Sequence, residues 1–156
     1  MIYRIATRDE VSRQFDWLID THEDKNLWSK FKKNQLGQLD KDQAIPYYGF
    51  VEDDCICEAY AVKLKEYPNR VYLKAFRTRP EYRDQHYFTG LFNYMIEDLR
   101  KRGYTEFSVG VDSEDTVNKS RYFHYGFTKY LNTSPEIYSD GSSCLVEYYL
   151  KQLENK

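Results

Sequence analysis

Between Val71 and Val111 the chain passes from a β-favouring run through a charged loop into a helical pattern, then into an alternating run, and few folds accept that succession. Val71-Tyr72-Leu73-Lys74-Ala75-Phe76-Arg77 reads as a strand. Phe88, Leu91, Phe92, Met95, Ile96 and Leu99 then recur at helical spacing, with Arg100-Lys101-Arg102 in the last turn and Gly103 just beyond. Thr105 to Val111 alternates, with Phe107, Val109 and Val111 on one face, and reads as another strand. Strand, helix and strand in this order imply a right-handed parallel crossover. The stretch Tyr82 to Leu91 is therefore a strand-to-helix loop, where exposed N–H groups and the positive end of the helix dipole suit an anion such as a phosphate.

The flanking sequence extends the pattern on both sides. Ile2 to Ala6 reads as a first strand, and Thr7-Arg8-Asp9-Glu10 as the start of a helix that continues through Val11, Phe15, Leu18 and Ile19 to Asp20. After a break over Thr21 to Asn26, Leu27, Trp28 and Phe31 suggest a second, shorter helix, and Gln35 to Ile45 reads as a loop leading to Pro46. Tyr47 to Val51 and Cys55 to Val62 form a hairpin around Glu52-Asp53-Asp54. Beyond Val111, Ser113 to Thr116 offer capping residues for a short helix over Val117 to Tyr125 that Gly126 stops. Phe127 to Leu131 reads as a strand, Asn132 to Ser143 with Pro135, Asp140 and Gly141 as a loop, and Cys144 to Leu150 as a last strand.

Composition narrows the class. At 156 residues the chain suits a single domain spanning 1–156. The mean hydropathy of −0.81 is low. Yet 41% hydrophobic and 17% aromatic residues, including 16 Tyr, argue against disorder. A formal charge of −2, from 23 basic and 25 acidic residues, provides no global field for nucleic acid or an anionic membrane. The three Cys show no metal-finger spacing, the three His none either, and no metal is expected. With no signal-like start and no membrane-length run, a cytoplasmic location is expected.

Two motifs carry a resemblance. Pro80-Glu81-Tyr82-Arg83 is followed by Asp84-Gln85-His86-Tyr87-Phe88, and downstream Tyr122 lies four residues before Gly126-Phe127. With the order strand, two helices, three strands, helix, strand, helix, two strands, this resembles the GNAT superfamily of N-acetyltransferases. The resemblance implies an α/β (α+β) fold with a mixed, mostly antiparallel central sheet of about seven strands, one parallel splayed pair and helices on both faces. The family loop runs Arg-x-x-Gly-x-Gly/Ala. Here His86 stands at its first Gly and Phe88 at its Gly or Ala, closer to a subgroup with a Gly-Tyr-Phe loop. Two outcomes are open: His86 adopts the same positive-φ turn and brings an imidazole to the phosphates, or the loop is reshaped.

The resemblance further implies acetyl-CoA as cosubstrate. Its pantetheine arm would lie along Phe76, Arg77 and Thr78. The pyrophosphate would sit on the N–H groups of Arg83, Asp84, Gln85, His86, Tyr87, Phe88 and Thr89, and Asn118 would contact the arm. Tyr122 aligns with the general acid, a phenol able to protonate a departing thiolate. No motif fixes the base that deprotonates the amine; Asp112 and Glu58 are the options. Trp28, Tyr47 and Tyr48 are placed either to line an acceptor site or in the core. The implied function is acetyl transfer from acetyl-CoA to a primary amine, on a small molecule or a peptide, by direct transfer. The alternative is a catalytically inactive GNAT-fold module that binds acyl-CoA or another ligand. A small α/β domain with a nucleotide phosphate at the loop is a further option. The oligomeric state is open, a homodimer included.

Overall fold

A computed structural model describes residues 1–138 and 141–153. The elements are β1 (Ile2–Ile5), α1 (Arg8–Thr21), α2 (Lys25–Asp40), β2 (Ala44–Val51), β3 (Asp54–Lys63), β4 (Arg70–Thr78), α3 (Tyr87–Lys101), β5 (Glu106–Asp112), α4 (Thr116–His124), β6 (Lys129–Ile137) and β7 (Ser143–Gln152). The strands form one seven-stranded sheet in the order β1-β2-β3-β4-β5-β7-β6. β4 and β5 are parallel, as the crossover requires, with a register from Arg70↔Glu106 to Tyr72↔Ser108, while β4 runs on to Thr78 and β5 to Asp112. The chain divides into two compact units: Met1–Val62 with Ala75–Asp98, and Lys63–Lys74 with Leu99 onward.

In the first unit, alternation along β2 distributes the helices to opposite faces of the strands. Tyr48 and Phe50 point toward α1 and join Val11, Phe15, Leu18, Cys55 and Tyr60 in a buried cluster covered by Trp28, Phe31, Leu36 and Leu39 of α2. Tyr47 points the other way, where its hydroxyl donates to Asp98 of α3 at 2.6 Å. Tyr3 of β1 shares that face. Its ring occupies the space left by two glycines: a Cβ on Gly49 would lie 3.1 Å from the ring, and one on Gly90 2.6 Å from its Cζ. The Tyr3 hydroxyl donates to the Tyr87 carbonyl at 2.9 Å, which ties β1 to the first turn of α3.

α1 begins with a reciprocal cap. Thr7 Oγ1 accepts from the Glu10 N–H, and Glu10 accepts from the Thr7 N–H and from both terminal nitrogens of Arg4. α2 departs from the sequence reading: with 16 residues against 14 it is longer than α1, and it takes in most of the segment read as the 35–45 loop. Its buried stripe passes through Gln35, which is 4% exposed, so a polar residue at a core position breaks the apolar period.

In the second unit, β5 pairs antiparallel with β7, and β7 with β6. Thr105 and Glu106 donate their N–H groups to the Asn69 carbonyl, and Arg70 forms an ion pair with Glu106. β6 is a second departure. It runs from Lys129 to Ile137, through the first half of the region read as a loop, and Pro135 pairs with Leu145. A proline is tolerated there because β6 is the last strand in the order and one side of it has no ladder to supply. Asp140, placed in the same loop, lies outside the described residues. Phe127, read as the start of this strand, is instead a fully buried residue before it. No helix among the described residues is long and apolar enough to cross a membrane.

Candidate active site

The segment that leads from β4 into α3 departs repeatedly from regular backbone. Along the strand, Val71 and Leu73 are buried and alternate with less buried neighbours until Ala75, whose φ of 59° puts a left-handed residue in mid-strand. A 3-10 turn over Pro80–Tyr82 follows, and then two further left-handed residues, Asp84 at φ 61° and His86 at φ 64°. His86 thus adopts a positive φ, a conformation that glycine takes without strain and that an L side chain rarely adopts. The first bond of α3 runs from the Gly90 N–H to the His86 carbonyl at 3.3 Å, so the N–H groups of His86 and Tyr87 precede the helical ladder. Arg83, Asp84, Gln85 and His86 are exposed. The Arg83 N–H is bonded to the Pro80 carbonyl at 3.3 Å, and the N–H groups that follow it, in a partly left-handed backbone ahead of a helix dipole, could receive an anion.

The loop is braced by its own side chains. Arg83 Nε donates to the Thr78 carbonyl at 3.2 Å, and Gln85 donates to the Glu81 carbonyl at 3.2 Å. Phe76 packs on Phe88 at 5.0 Å and on Phe92 at 6.5 Å between ring centres. Tyr82 packs edge-on to Tyr87. A phenylalanine at position 88 therefore serves as an anchor between the strand and the helix that follows it.

On the α1 face of the same unit lies a cavity of about 400 Å³, lined by α1, β3 and the end of β4. Glu58 lines it and is 1% exposed. Arg77 Nε and Nη2 both reach Glu58 Oε1 at 2.5 Å, whereas Oε2 is buried without a partner. Burial raises the Glu58 carboxyl above the ordinary carboxylate value, and the charge and hydrogen bond of Arg77, with smaller contributions from the Gln14 amide and the Arg79 charge, offset only part of that rise. Arg77 stacks over Trp28 at 5.2 Å and Arg79 over Trp17 at 4.3 Å. Tyr48 and Tyr60, joined by a hydrogen bond between their hydroxyls, are pushed well above an ordinary phenol by burial.

In the second unit, α4 is capped by Asp115, which accepts the Asn118 N–H at 3.1 Å and its side-chain amide at 2.7 Å. Tyr122, one turn further on, packs edge-on to Phe127 at 6.1 Å, and the Phe127 N–H donates to the Tyr122 carbonyl around Gly126 at φ 99°. Burial pushes the Tyr122 phenol up to about 12, with smaller contributions from Tyr72 and Asp115. Asp112 is occupied as a turn former: Oδ1 accepts the Glu114 N–H at 2.9 Å and its carbonyl accepts the Asp115 N–H.

Phe76 to Thr78 and Arg83 to Thr89 thus form one stretch in the first unit, and Glu58 meets Arg77 there. In the second, Asp112 ends β5, Asn118 lies in the first turn of α4 and Tyr122 in its last. Tyr47 and Tyr48 are fully buried, so their place is the core, and Trp28 supports Arg77. Sequence reasoning missed Gln14 and Trp17, which line the cavity beside Leu18 and Thr21. Their helical spacing with Leu18 and Thr21 was the available signal. Among the described residues no group of three or more His, Cys, Asp or Glu is placed to hold a metal.

Comparison with known proteins agrees with this geometry. The model of the acetyltransferase (GNAT) family matches residues 2–127. No curated protein matches. Among solved structures, a ribosomal-protein-alanine N-acetyltransferase from Brucella melitensis superposes with a TM-score of 0.74 at 14% identity, covering 98% of this chain and 100% of the other. A probable acetyltransferase from Staphylococcus epidermidis gives 0.78 at 10% identity over 98% and 99%. A Salmonella typhimurium structure described as an acetyltransferase with its cofactor acetyl-CoA gives 0.72 at 13% identity over 100% and 95%. At these identities the structures share the fold, and the family match over most of the length adds the lineage: the chain belongs to the acetyltransferase (GNAT) family.

Proposed function

We propose that this protein transfers an acetyl group from acetyl-CoA to a primary amine by direct attack, as a single catalytic domain over residues 1–156. The observation that carries the proposal is the exposed loop whose left-handed residues Asp84 and His86 open α3, in a chain of the GNAT family. The loop is read as the Tyr-Phe variant of the pyrophosphate cradle. The N–H groups from Arg83 to Thr89 receive the phosphates, Phe76, Arg77 and Thr78 receive the pantetheine arm, and Asn118 contacts that arm. Backbone N–H groups on β4 polarise the thioester carbonyl.

Glu58 is the better of the two bases, because it lines a cavity with a raised carboxyl, whereas Asp112 is committed to its turn. Glu58 takes one proton from the ammonium. The freed amine nitrogen bonds to the carbonyl carbon and the C–S bond breaks. Tyr122 supplies a proton to the departing thiolate, and the second amine proton restores the phenol. A phenol held at about 12 keeps its proton at neutral pH, as an acid must. Three unpaired cysteines fit a cytoplasmic setting.

The test joins binding and turnover. Acetyl-CoA at a hundredfold excess over its Kd should raise Tm by about 5–10 °C. A panel of amines should release free thiol, and Tyr122→Phe should lower kcat on the order of a hundredfold while keeping the Tm shift. Stabilisation without thiol release across the panel would overturn the catalytic reading.

A further inference from the structure

The cavity on the α1 face carries polar atoms that its own wall leaves without hydrogen-bond partners. Arg77 is answered by Glu58, but Glu58 Oε2 is buried with no donor. Arg79 stacks on Trp17, its Nε is buried with no acceptor, and it makes no ion pair among the described residues. Arg83 adds a third guanidinium to the lining, and its Nε is already held by the Thr78 carbonyl. The lining therefore holds one carboxylate oxygen and one guanidinium nitrogen that are buried without a hydrogen-bond partner, and its three guanidinium groups outnumber the carboxylates of Glu58 and Glu81. Trp17, Leu18 and Ile56 supply an apolar remainder.

We propose that the acceptor is an amine bearing its own carboxylate, of the free α-amino acid type, with its ammonium at Glu58 Oε2, its carboxylate at Arg79 and its side chain against Trp17, Leu18 and Ile56. A cavity of about 400 Å³ holds a small molecule. A polyamine would bring further positive charge to Arg77, Arg79 and Arg83 and meet repulsion. The assignment rests on the acetyltransferase reading for its chemistry, and on the cavity alone for binding.

Thiol release is to be measured with L-leucine and L-phenylalanine against 3-methylbutylamine and 2-phenylethylamine, the same molecules without the carboxylate. The amino acids should be used with at least tenfold higher kcat/KM, carried by KM. Arg79→Gln should bring that ratio close to one, and Arg79→Lys, which keeps the charge without the planar fork, should retain part of it. Equal use of both classes by the unaltered protein, or a preference that survives Arg79→Gln, overturns the assignment. Tryptophan emission provides a readout independent of turnover. L-leucine should change it saturably in the unaltered protein, at higher concentrations in a cooperatively melting Arg79→Lys variant, and not in a cooperatively melting Arg79→Gln variant at the concentration that saturates the unaltered protein. Absence of any leucine response in the unaltered protein overturns the assignment. If leucine binds but no amine is acetylated and acetyl-CoA does not stabilise the fold, the acetyltransferase reading fails and the cavity assignment stands.

Discussion

His86 pays a conformational penalty that its neighbours enforce. A left-handed L-residue costs about 1–2 kcal/mol, and glycine would remove most of that while widening the unfolded ensemble. His86→Gly should therefore stabilise the ligand-free protein by up to about 1 kcal/mol, measured by denaturant melts. If the loop holds the pyrophosphate as proposed, the same change removes an imidazole from beside it and acetyl-CoA affinity should fall severalfold; an unchanged Kd would show that the ring takes no part. Glu58 yields a second test. Its carboxyl is raised by burial, so the basic form fills as pH rises through a value above the ordinary carboxylate range. An acid limb in kcat/KM should appear there and vanish in Glu58→Gln, with a loss on the order of a hundredfold. The same limb persisting in Glu58→Gln would assign the base elsewhere.

Among the elements, α1 shows how a helix start becomes sensitive to pH. Hydrogen bonds from Arg4, with help from Thr7, outweigh burial and hold the Glu10 carboxyl down at about 2. Because the folded value is depressed, the stabilisation is complete above the ordinary carboxylate range and is lost as pH falls toward about 2. Glu10→Gln should cost about 1–2 kcal/mol at pH 7 and progressively less in acid, read as converging melts of the two proteins. A constant difference across that range would contradict the assignment. The elements also divide by legibility. α3 was readable from end to end because an unbroken apolar stripe, terminal cations and Gly103 at φ 98° all agree. α2 and β6 were cut short because one carries a buried glutamine and the other a proline, residues whose usual meaning is reversed by a tertiary partner or an unpaired edge.

For the molecule as a whole, the parallel pair followed from the crossover rule applied to one segment and the mixed sheet from the family resemblance, whereas the placing of β7 between β5 and β6 was not read from the sequence. The Pro-x-Tyr-Arg turn and the Gly126-Phe127 anchor located the loop and Tyr122. The cavity was not legible in the same way. It depends on Gln14 and Trp17 from one helix meeting Glu58 and Arg77 from two strands, and no local pattern records such a meeting. The long-range contact between β1 and α3 is equally invisible in either segment read alone. Since the Tyr3 ring fills the space that a side chain at position 90 would need, the two positions cannot change independently. A library randomised at both and selected for folding should return a large ring at 3 only with Gly at 90, and Ala at 90 only with a short side chain at 3. Free mixing of the two would contradict the contact. What reads along the chain as a helix-weakening glycine is one half of a two-residue lock, and any redesign of the loop that precedes it has to begin at the first strand.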